Sequence, residues 1–274
     1  MSNIQGRQTT NPYTHTLGIL KTTIPDLKSR MAWDLRPIAW RSRARMRLWR
    51  DKFSSSKAVI VCNGPSLNQT DLSGMQNVYT IGLNKINLLF GRNNFRPNAI
   101  VAVNKLVIDQ NADFFDTTDI PLFLDSYAAS LVSERENVCF VHSVEQRKFA
   151  RDCSMSINQG ATVTFVALQI AFHMGFRDIA LIGCDHSFAS KGPANKTVIA
   201  GKTDVDHFDP NYFAGGVEWQ LPDLLQSEVS YTMARDIFAA EGGRVVNATV
   251  GGKLEIFERL MLADFLQQPT FLAK

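Results

Sequence analysis

The stretch "KAVIVCNGPSL", Lys57–Leu67, runs from a short apolar segment straight into a turn of small, hydrogen-bonding residues. The β-branched run is typical of a buried strand, and no Gly-x-Gly-x-x-Gly fingerprint follows it. In the turn, Gly64 allows a close backbone approach and Pro65 stiffens the chain. Asn63 and Ser66 add uncharged hydrogen-bonding groups. The stretch predicts either an ordinary strand-to-helix turn or a ligand-binding turn.

Six further apolar runs, separated by longer segments, continue the pattern: "NVYTIG", "AIVAV", "PLFLD", "NVCFVH", "DIALIG" and "RVVNAT". This alternation predicts an α/β fold over residues 54–274, a Rossmann-like and mostly parallel sheet with helices on both faces. The segment Ala161–Met174 is apolar nearly all round, which predicts a deeply buried helix that Gly175 ends. Residues 187–216 mix charges, glycines and aromatics without a period. A loop of this length in a compact domain predicts a lid.

The composition is that of a globular protein, with 274 residues of which 45% are hydrophobic and 20% charged. Four widely spaced cysteines suggest neither a disulfide framework nor a metal site of the CxxC kind. The first residues lack the order of a secretory signal, and no apolar run approaches the ~18 residues of a membrane span. We therefore expect a cytoplasmic protein.

Residues 1–53 are predicted to form an extension that carries a basic, tryptophan-rich helix. The segment Lys28–Lys52 contains nine basic and two acidic residues, so it carries +7 and the rest of the chain −4. Trp33, Trp40 and Trp49 are interleaved with the arginines, but the apolar residues form no single helical face. One interpretation is contact with an acceptor or with an anionic membrane, at its inner face. The other is a helix packed on its own domain or on a second subunit, and nucleic acid is not expected.

Polar residues and a glycine stand at the other predicted strand ends or just before the buried helix: Asn84, Gly160, Thr162, Asp185, Asn247 and Thr249. In an open parallel sheet, ligands bind outside the carboxyl ends of the strands. Gly160 and Thr162 precede a helix whose N-terminus favours a phosphate. Asp185 suits a ribose diol or a metal, with a helix cap as the alternative.

Four blocks of the sequence resemble a known family: "VIVCNGPSL" (59–67), "GLNKI" around Asn84, the run from "GATV" to "DIALIGCD" (160–185) and "NATVGGKLEIF" (247–257). Together they look like the family of archaeal 6-hydroxymethylpterin diphosphokinases (MptE-like) and of motility-associated factors that glycosylate bacterial flagellins. The first, second and fourth blocks are also similar to bacterial CMP-sialic acid-dependent sialyltransferases of the lipooligosaccharide type.

The sialyltransferase resemblance implies a nucleotide site held by Asn63, Gly64, Ser66, Asn84 and Thr162, with Asp185 toward the ribose. It implies a CMP-sugar donor, a glycan or lipid-linked acceptor, and no required metal or other cofactor. In those enzymes a histidine on a lid acts as general base, and His207 is the matching candidate here.

His207 lies on the irregular segment with Asp204 and Tyr212 nearby in sequence. An imidazole can take the proton of an acceptor hydroxyl near neutral pH. The spacing from Asp185 to His207 differs from the pattern of the sialyltransferases, and a loop histidine without a role is the alternative. His186 is a rival base.

The remaining histidines and tyrosines are less informative. His173 is predicted to be a core residue with satisfied hydrogen bonds, and His142 is ambiguous at a strand end. Tyr212 and Tyr231 could donate to a leaving phosphate, although tyrosines in a stretch such as "PNYF" (Tyr212) or at a helix start (Tyr231) often only pack. Four lysines are candidates for phosphate neutralisation: Lys85, Lys105, Lys196 and Lys202.

The sequence therefore predicts a glycosyltransferase of bacterial surface-glycan assembly that uses a CMP-activated acidic sugar. One alternative is an ATP-dependent diphosphokinase of the 6-hydroxymethylpterin type, which would need Mg²⁺ at Asp185 and at Asp204 or Asp206. Another is an inactive nucleotide-sugar-binding protein. A homo-oligomer is compatible with all three.

Overall fold

The computed structural model describes residues 24–271, and its centre is a parallel sheet. The strands are β1 (Lys57–Val61), β2 (Tyr79–Leu83), β3 (Ala99–Ala102), β4 (Leu122–Asp125), β5 (Val138–Val141), β6 (Asp178–Ile182), β7 (Thr197–Ile199), β8 (Glu218–Gln220), β9 (Arg244–Asn247) and β10 (Glu258–Arg259). Eight of them form one sheet in the order β10-β9-β6-β1-β2-β3-β4-β5, and all neighbours in it are parallel. This confirms the predicted Rossmann-like α/β fold.

Helices cover both faces of the sheet. They are α1 (24–34), α2 (Pro37–Leu48), α3 (Lys105–Gln110), α4 (Ala112–Thr117), α5 (Val163–His173), α6 (Leu224–Ala240) and α7 (Leu262–Gln267). The prediction of a deeply buried α5 is confirmed, because every residue from Thr164 to His173 is buried. His173 is the satisfied core residue expected, since its Nδ1 accepts from the Cys153 N–H at 3.3 Å and its Nε2 donates to the Met46 carbonyl at 2.9 Å.

The strand residues alternate between two hydrophobic cores. Ala58 and Ile60 of β1 belong to the core under α5 and α6, and Val59 and Val61 belong to the core on the opposite face. Successive side chains of a strand point to opposite faces, so a strand that is covered on both sides needs apolar residues throughout. This is why the predicted strands read as continuous apolar runs rather than as alternating ones.

The N-terminal helices pack on the sheet at its β5 end. Ala39 and Met46 of α2 are buried, and Trp33 of α1 is only 5% exposed. The hydroxyl of Ser42 accepts a hydrogen bond of 3.3 Å from the N–H of Phe140 in β5. This packing agrees with the second interpretation of the basic segment, in which it packs on its own domain.

Carboxylates on and near this segment pair with most of its arginines. Glu134 binds Arg41 at 2.6 Å and Arg45 at 2.8 Å, and Asp34 binds Arg30 and Arg43. The two arginines hold the pKa of Glu134 down to about 2, against the effect of its partial burial. Much of the excess charge is therefore neutralised within the domain. No helix among residues 24–271 has the length and apolarity needed to cross a bilayer.

The predicted lid (187–216) belongs to a longer segment with regular structure that the sequence did not reveal. We call residues 187–222 the lid from here on, because β7 pairs with β8, just beyond residue 216, as an antiparallel ribbon. The lid is fastened to the sheet at several points: the Phe208 N–H donates to the Asn63 carbonyl at 2.9 Å, and Lys85 Nζ donates to the Tyr212 carbonyl at 2.7 Å. Arg92 adds an ion pair of 2.6 Å to Asp209.

Lys85 therefore has a different role from the phosphate contact considered for it. Its ammonium is buried between the Tyr212 carbonyl and the side chain of Gln110, which accepts at 2.6 Å. Burial lowers the pKa of Lys85 to about 8, although the charge of Asp204 opposes the shift. Of the other lysines considered, Lys105 lies over the Tyr127 ring at 4.7 Å.

Candidate functional site

The strand order locates the candidate site. From β1 the chain builds the sheet outward through β2, β3, β4 and β5, and then returns to add β6 on the other side of β1. Ligands of open parallel sheets bind outside the carboxyl ends of the strands at such a reversal. A cavity of about 210 Å³ lies there, between the ends of β1, β2, β3 and β6, the start of α5, part of α6 and the lid.

Three buried polar atoms without partners belong to residues that line this cavity. They are Asn63 Oδ1, Asn84 Oδ1 and the Tyr212 hydroxyl, and no described residue forms a hydrogen bond with them. Each such group costs roughly 1–3 kcal/mol, so native proteins keep few of them. Asn84 also adopts a left-handed conformation (φ 49°) directly after β2. These groups are suited to a ligand that brings its own donors and acceptors.

Asp185 joins the end of β6 to the turn after β1. Its carboxylate accepts a hydrogen bond of 2.7 Å from the Ser66 hydroxyl and one of 3.3 Å from the Ser66 N–H. A Cβ at position 64 would overlap this carboxylate, which explains the glycine. Burial raises the pKa of Asp185, and the bonds from Ser66 offset part of the rise. Gly64 therefore allows the close approach that we expected, and the group that comes close to it is the Asp185 carboxylate.

The start of α5 lies at the same cavity. The hydroxyl of Thr162 caps the helix by accepting from the Thr164 N–H at 3.3 Å, and it also lies 3.3 Å from the Tyr231 hydroxyl of α6. Gly160 has a φ of 57°, and a Cβ there would overlap Phe165 and Ser230. The helix N-terminus carries a partial positive charge that stabilises anions.

His207 and Asp204 form a hydrogen-bonded pair on the lid. The Asp204 carboxylate lies 2.8 Å from His207 Nδ1 and also accepts from the backbone N–H groups of Asp206 and Phe213. Because the carboxylate accepts, Nδ1 carries the proton and Nε2 is left as the basic nitrogen. Burial would raise the pKa of Asp204, but the hydrogen bond and charge of His207 outweigh it and the net shift is downward.

Aromatic rings hold the imidazole of His207 in place. Tyr212 stacks on it with ring centroids 4.0 Å apart and planes 1° from parallel, and Phe213 meets it edge-on at 5.1 Å. Burial raises the pKa of Tyr212, which outweighs the opposing effects of Lys85 and Asn84. Tyr212 is therefore a neutral hydrogen-bond donor at physiological pH rather than a base.

A second histidine pair lies on the opposite side of the same cavity. His186 directly follows Asp185, has a φ of 52°, and its Nε2 lies 3.0 Å from Glu228 Oε1 on α6. Its ring meets that of Tyr231 edge-on, with centroids 6.0 Å apart. Because Tyr231 also contacts Thr162, His186 is on the side of the α5 N-terminus, whereas His207 is on the lid.

The structure brings seven of the predicted site residues to the cavity: Asn63, Gly64, Asn84, Thr162, Asp185, His207 and Tyr212. Five others do not line it: Pro65, Ser66, Gly160, Asn247 and Thr249. Asn247 instead donates to the Leu254 carbonyl at 2.8 Å, and Thr249 accepts from the Cys184 N–H at 3.0 Å. These two residues order the loops beside the cavity.

Several residues of the site were not singled out from the sequence. Asn104 follows β3, lines the cavity and contacts Gln220 of the lid at 3.3 Å. Asn104 follows a strand just as Asn63 and Asn84 do, so the same position in the sequence could have identified it. Glu228 had no such signal, because the sequence indicated a helix start only at Tyr231, three residues later.

The side chains that line the cavity are mostly neutral. Its acidic residues are Asp185 and Asp206, its histidines are His186 and His207, and its described lining contains no lysine or arginine. An anion in this cavity would depend on the α5 N-terminus and on uncharged hydrogen-bond donors.

Known proteins resemble the chain to different extents. No curated protein matches it. The solved structure of the MAf glycosyltransferase from Magnetospirillum magneticum AMB-1 aligns with 87% of the chain at 14% identity and a TM-score of 0.49, and the chain spans 40% of that protein's length. The family described as 6-hydroxymethylpterin diphosphokinase MptE-like matches residues 40–191, more than half of the chain. The match confirms the resemblance to the MptE-like family noted from the sequence, and the chain belongs to that family.

Proposed function

We propose that the protein is a glycosyltransferase of bacterial surface-glycan assembly that uses a CMP-activated acidic sugar. One observation carries the proposal: a single cavity at the sheet reversal combines unpaired amides with a histidine that a buried carboxylate orients. The amides suit the uncharged base and the hydroxyl groups of the donor, and the oriented histidine suits proton transfer.

The donor would lie across the strand ends. Its phosphate would sit at the N-terminus of α5 near Thr162, where helix dipole and backbone N–H groups favour an anion. Asn63 and Asn84 would satisfy their unpaired oxygens with donors of the nucleotide or sugar. Asp185, with both oxygens already near Ser66, would accept one further bond from a ribose hydroxyl.

The chemistry would use the two histidine pairs differently. Nε2 of His207 takes the proton of the acceptor hydroxyl as its oxygen forms a bond to the anomeric carbon. The bond from that carbon to the phosphate oxygen breaks, and CMP leaves with the electron pair. Tyr212 donates a hydrogen bond near the reacting atoms. His186, beside the helix start, would donate a hydrogen bond to the leaving phosphate when both of its ring nitrogens carry protons.

The family description favours a second candidate, an ATP-dependent diphosphokinase with Mg²⁺ at Asp185. The residues do not fit that metal site well. Asp185 is bonded to Ser66, Asp206 accepts from Ser190, and residues 24–271 contain no group of three His, Cys, Asp or Glu side chains placed to hold a metal. A triphosphate would also meet a lining that lacks basic side chains among the described residues.

A thermal-shift panel with CMP, CDP, UDP, GDP and ATP, with and without Mg²⁺, separates the candidates. The proposal predicts stabilisation by CMP without metal, of about 2.7 kcal/mol when the ligand is at 100 times its Kd. Stabilisation by ATP only with Mg²⁺ would establish the diphosphokinase. CMP binding without cleavage of a CMP-sugar, in the presence of candidate acceptors, would indicate an inactive binding protein.

We also propose that α1 contacts an anionic membrane. Leu27 and Met31 of α1 and Leu35, directly after it, are exposed at a four-residue spacing, and Lys28 and Arg36 are exposed close to them in sequence. Such a face suits the interface of an anionic bilayer. The protein should co-float with phosphatidylglycerol vesicles and not with phosphatidylcholine vesicles. Serine at the three apolar positions should abolish flotation, and unchanged flotation would refute this contact.

A further inference from the structure

A second cavity, of about 410 Å³, lies along the same edge of the sheet, and we call it the β4–β5 cavity. Residues that end β4 or follow β4 and β5 line one side: Asp125, Ser126, His142 and Ser143. The helix α1 supplies the other side, including Trp33, whose ring is parallel to that of His142 with centroids 6.3 Å apart. The cavity is thus built by the sheet and the N-terminal helix together.

Two of the strand-end residues of this cavity are both buried and polar. Asp125 is 8% exposed and His142 is 5% exposed. The Ser126 hydroxyl lies 3.4 Å from His142 Nδ1, but the buried Nε2 of His142 has no hydrogen-bond partner among the described residues. A buried imidazole nitrogen without a partner is costly. Nε2 of His142 is therefore suited to a ligand that supplies the missing hydrogen bond.

The charge around His142 selects a class of ligand. Burial and the nearby Arg30 lower the pKa of His142, and Asp125 only partly opposes them. The imidazole is therefore neutral at physiological pH, and depending on its tautomer Nε2 donates or accepts. Asp125 disfavours an anion, whereas Arg30 and Arg36 disfavour a cation. A hydroxyl group, which both donates and accepts, satisfies either tautomer without adding charge.

The β4–β5 cavity is next to the cavity at the sheet reversal, which we call the nucleotide cavity after its proposed ligand. Asn104, after β3, lines the first cavity, and Asp125, at the end of the neighbouring strand, lines the second. Adjacent strands are about 4.8 Å apart, which is close to the width of one sugar ring. Gln159 lies between them: its amide donates to Ser143 at 3.0 Å, and Thr162, three residues later, lines the nucleotide cavity.

We propose that the β4–β5 cavity binds a neutral sugar unit of the acceptor glycan, so that donor and acceptor lie side by side along the carboxyl edge of the sheet. The proposal rests on the glycosyltransferase function above. Trp33 offers apolar surface, and the hydroxyl, carboxylate and imidazole groups offer hydrogen bonds. A sugar ring has the same mixture of apolar and hydrogen-bonding faces.

Imidazole ¹⁵N NMR tests this, because the chain has only five histidines and single substitutions can assign them. The probes are CMP and the methyl glycosides of glucose, galactose and N-acetylgalactosamine. We expect CMP to shift the signals of His186 and His207, and at least one glycoside to shift that of His142 alone. A His142 signal that no glycoside moves would overturn the inference. CMP leaving His186 and His207 unmoved would instead contradict the proposed nucleotide site.

Two variants sharpen the result. His142→Phe should lower glycoside affinity about tenfold or more by removing the hydrogen bond, and it should leave CMP affinity unchanged, which also shows that the variant is folded. Ser126→Ala is the milder change if His142→Phe does not fold, and it should lower glycoside affinity without affecting CMP. Glycoside affinity equal to that of the unaltered protein in the folded variants would refute the assignment.

Discussion

The two histidine pairs of the cavity at the sheet reversal share their chemistry but differ in the burial of the carboxylate that supports each imidazole. His207 is on the lid, and Asp204, which orients it, accepts several further hydrogen bonds from backbone N–H groups. His186 is on the sheet framework, and its partner Glu228 has a side chain that is 46% exposed. A carboxylate that is buried and fully bonded fixes an imidazole far better than one that water can reach.

This difference indicates a division of labour. The lid pair lies against Tyr212 and Phe213, so the imidazole of His207 is held by rings of its own segment. The framework pair lies beside the α5 N-terminus, because His186 meets Tyr231, which contacts Thr162. Under the proposed function, the lid would carry the well-oriented base and the sheet framework would carry the anion-binding group.

The largest expected effect comes from His207→Ala. Loss of the general base should lower kcat for transfer about 10³-fold, and the Kd for CMP should stay unchanged because the nucleotide contacts lie elsewhere. Steady-state kinetics and calorimetry measure both quantities. Unchanged turnover would mean that His186, on the framework, is the base.

The next effect is expected from Asp204→Asn. The variant removes the charge that holds the Nδ1 proton, and its NH₂ group faces backbone donors that the carboxylate accepts. We expect kcat to fall about 10²-fold, together with faster proteolysis within residues 187–222. A variant with normal kcat and an unchanged lid would show that the tighter pair is not the catalytic one.

A smaller and more selective effect is expected from His186→Gln. Affinity for CMP should fall about tenfold through loss of a charge-assisted hydrogen bond, while affinity for cytidine, which has no phosphate, should not change. Glu228→Gln is the matched variant, and because the pair is half exposed we expect it to weaken CMP binding only about twofold. Equal losses for CMP and cytidine would place His186 away from the phosphate.

The smallest effect concerns the contact that holds the lid, Lys85 to the Tyr212 carbonyl. Burial lowers the pKa of Lys85 to about 8 from the ordinary 10.5. Between these values the unfolded chain keeps the proton and the folded one releases it, so the free energy of unfolding rises with pH. The melting temperature of the unaltered protein, relative to Lys85→Met, should therefore increase above pH 8. A constant difference would show that the ammonium is not disfavoured by the fold.

The sequence predicted the sheet better than the elements around it. The strand runs and α5 were found because they are covered on both faces and so consist of apolar residues. The first turns of helix α6 were missed, since the residues it buries include Ser227, Ser230 and Ala234 at helical spacing, and such small residues do not produce a hydrophobic stripe. The ribbon β7–β8 was missed because only three residues of each strand pair.

Position at the end of a strand identified most of the candidate site, but not all such positions belong to it. Asn63, Asn84 and Asp185 follow strands and line one cavity, whereas Asn247, which ends a strand, is bonded to its own loop. Burial of an unpaired oxygen, which separates the first two amides from Asn247, depends on the lid and is not visible in the sequence.

Ser42 has a practical consequence for anyone who shortens the protein. Strand β5 is the outermost strand of the sheet, and the Ser42 hydroxyl accepts the hydrogen bond of one of its outward N–H groups. A bare sheet edge recruits strands from other molecules. A truncated protein that starts at Lys57, the first residue of β1, would lose this cover and is expected to aggregate when expressed.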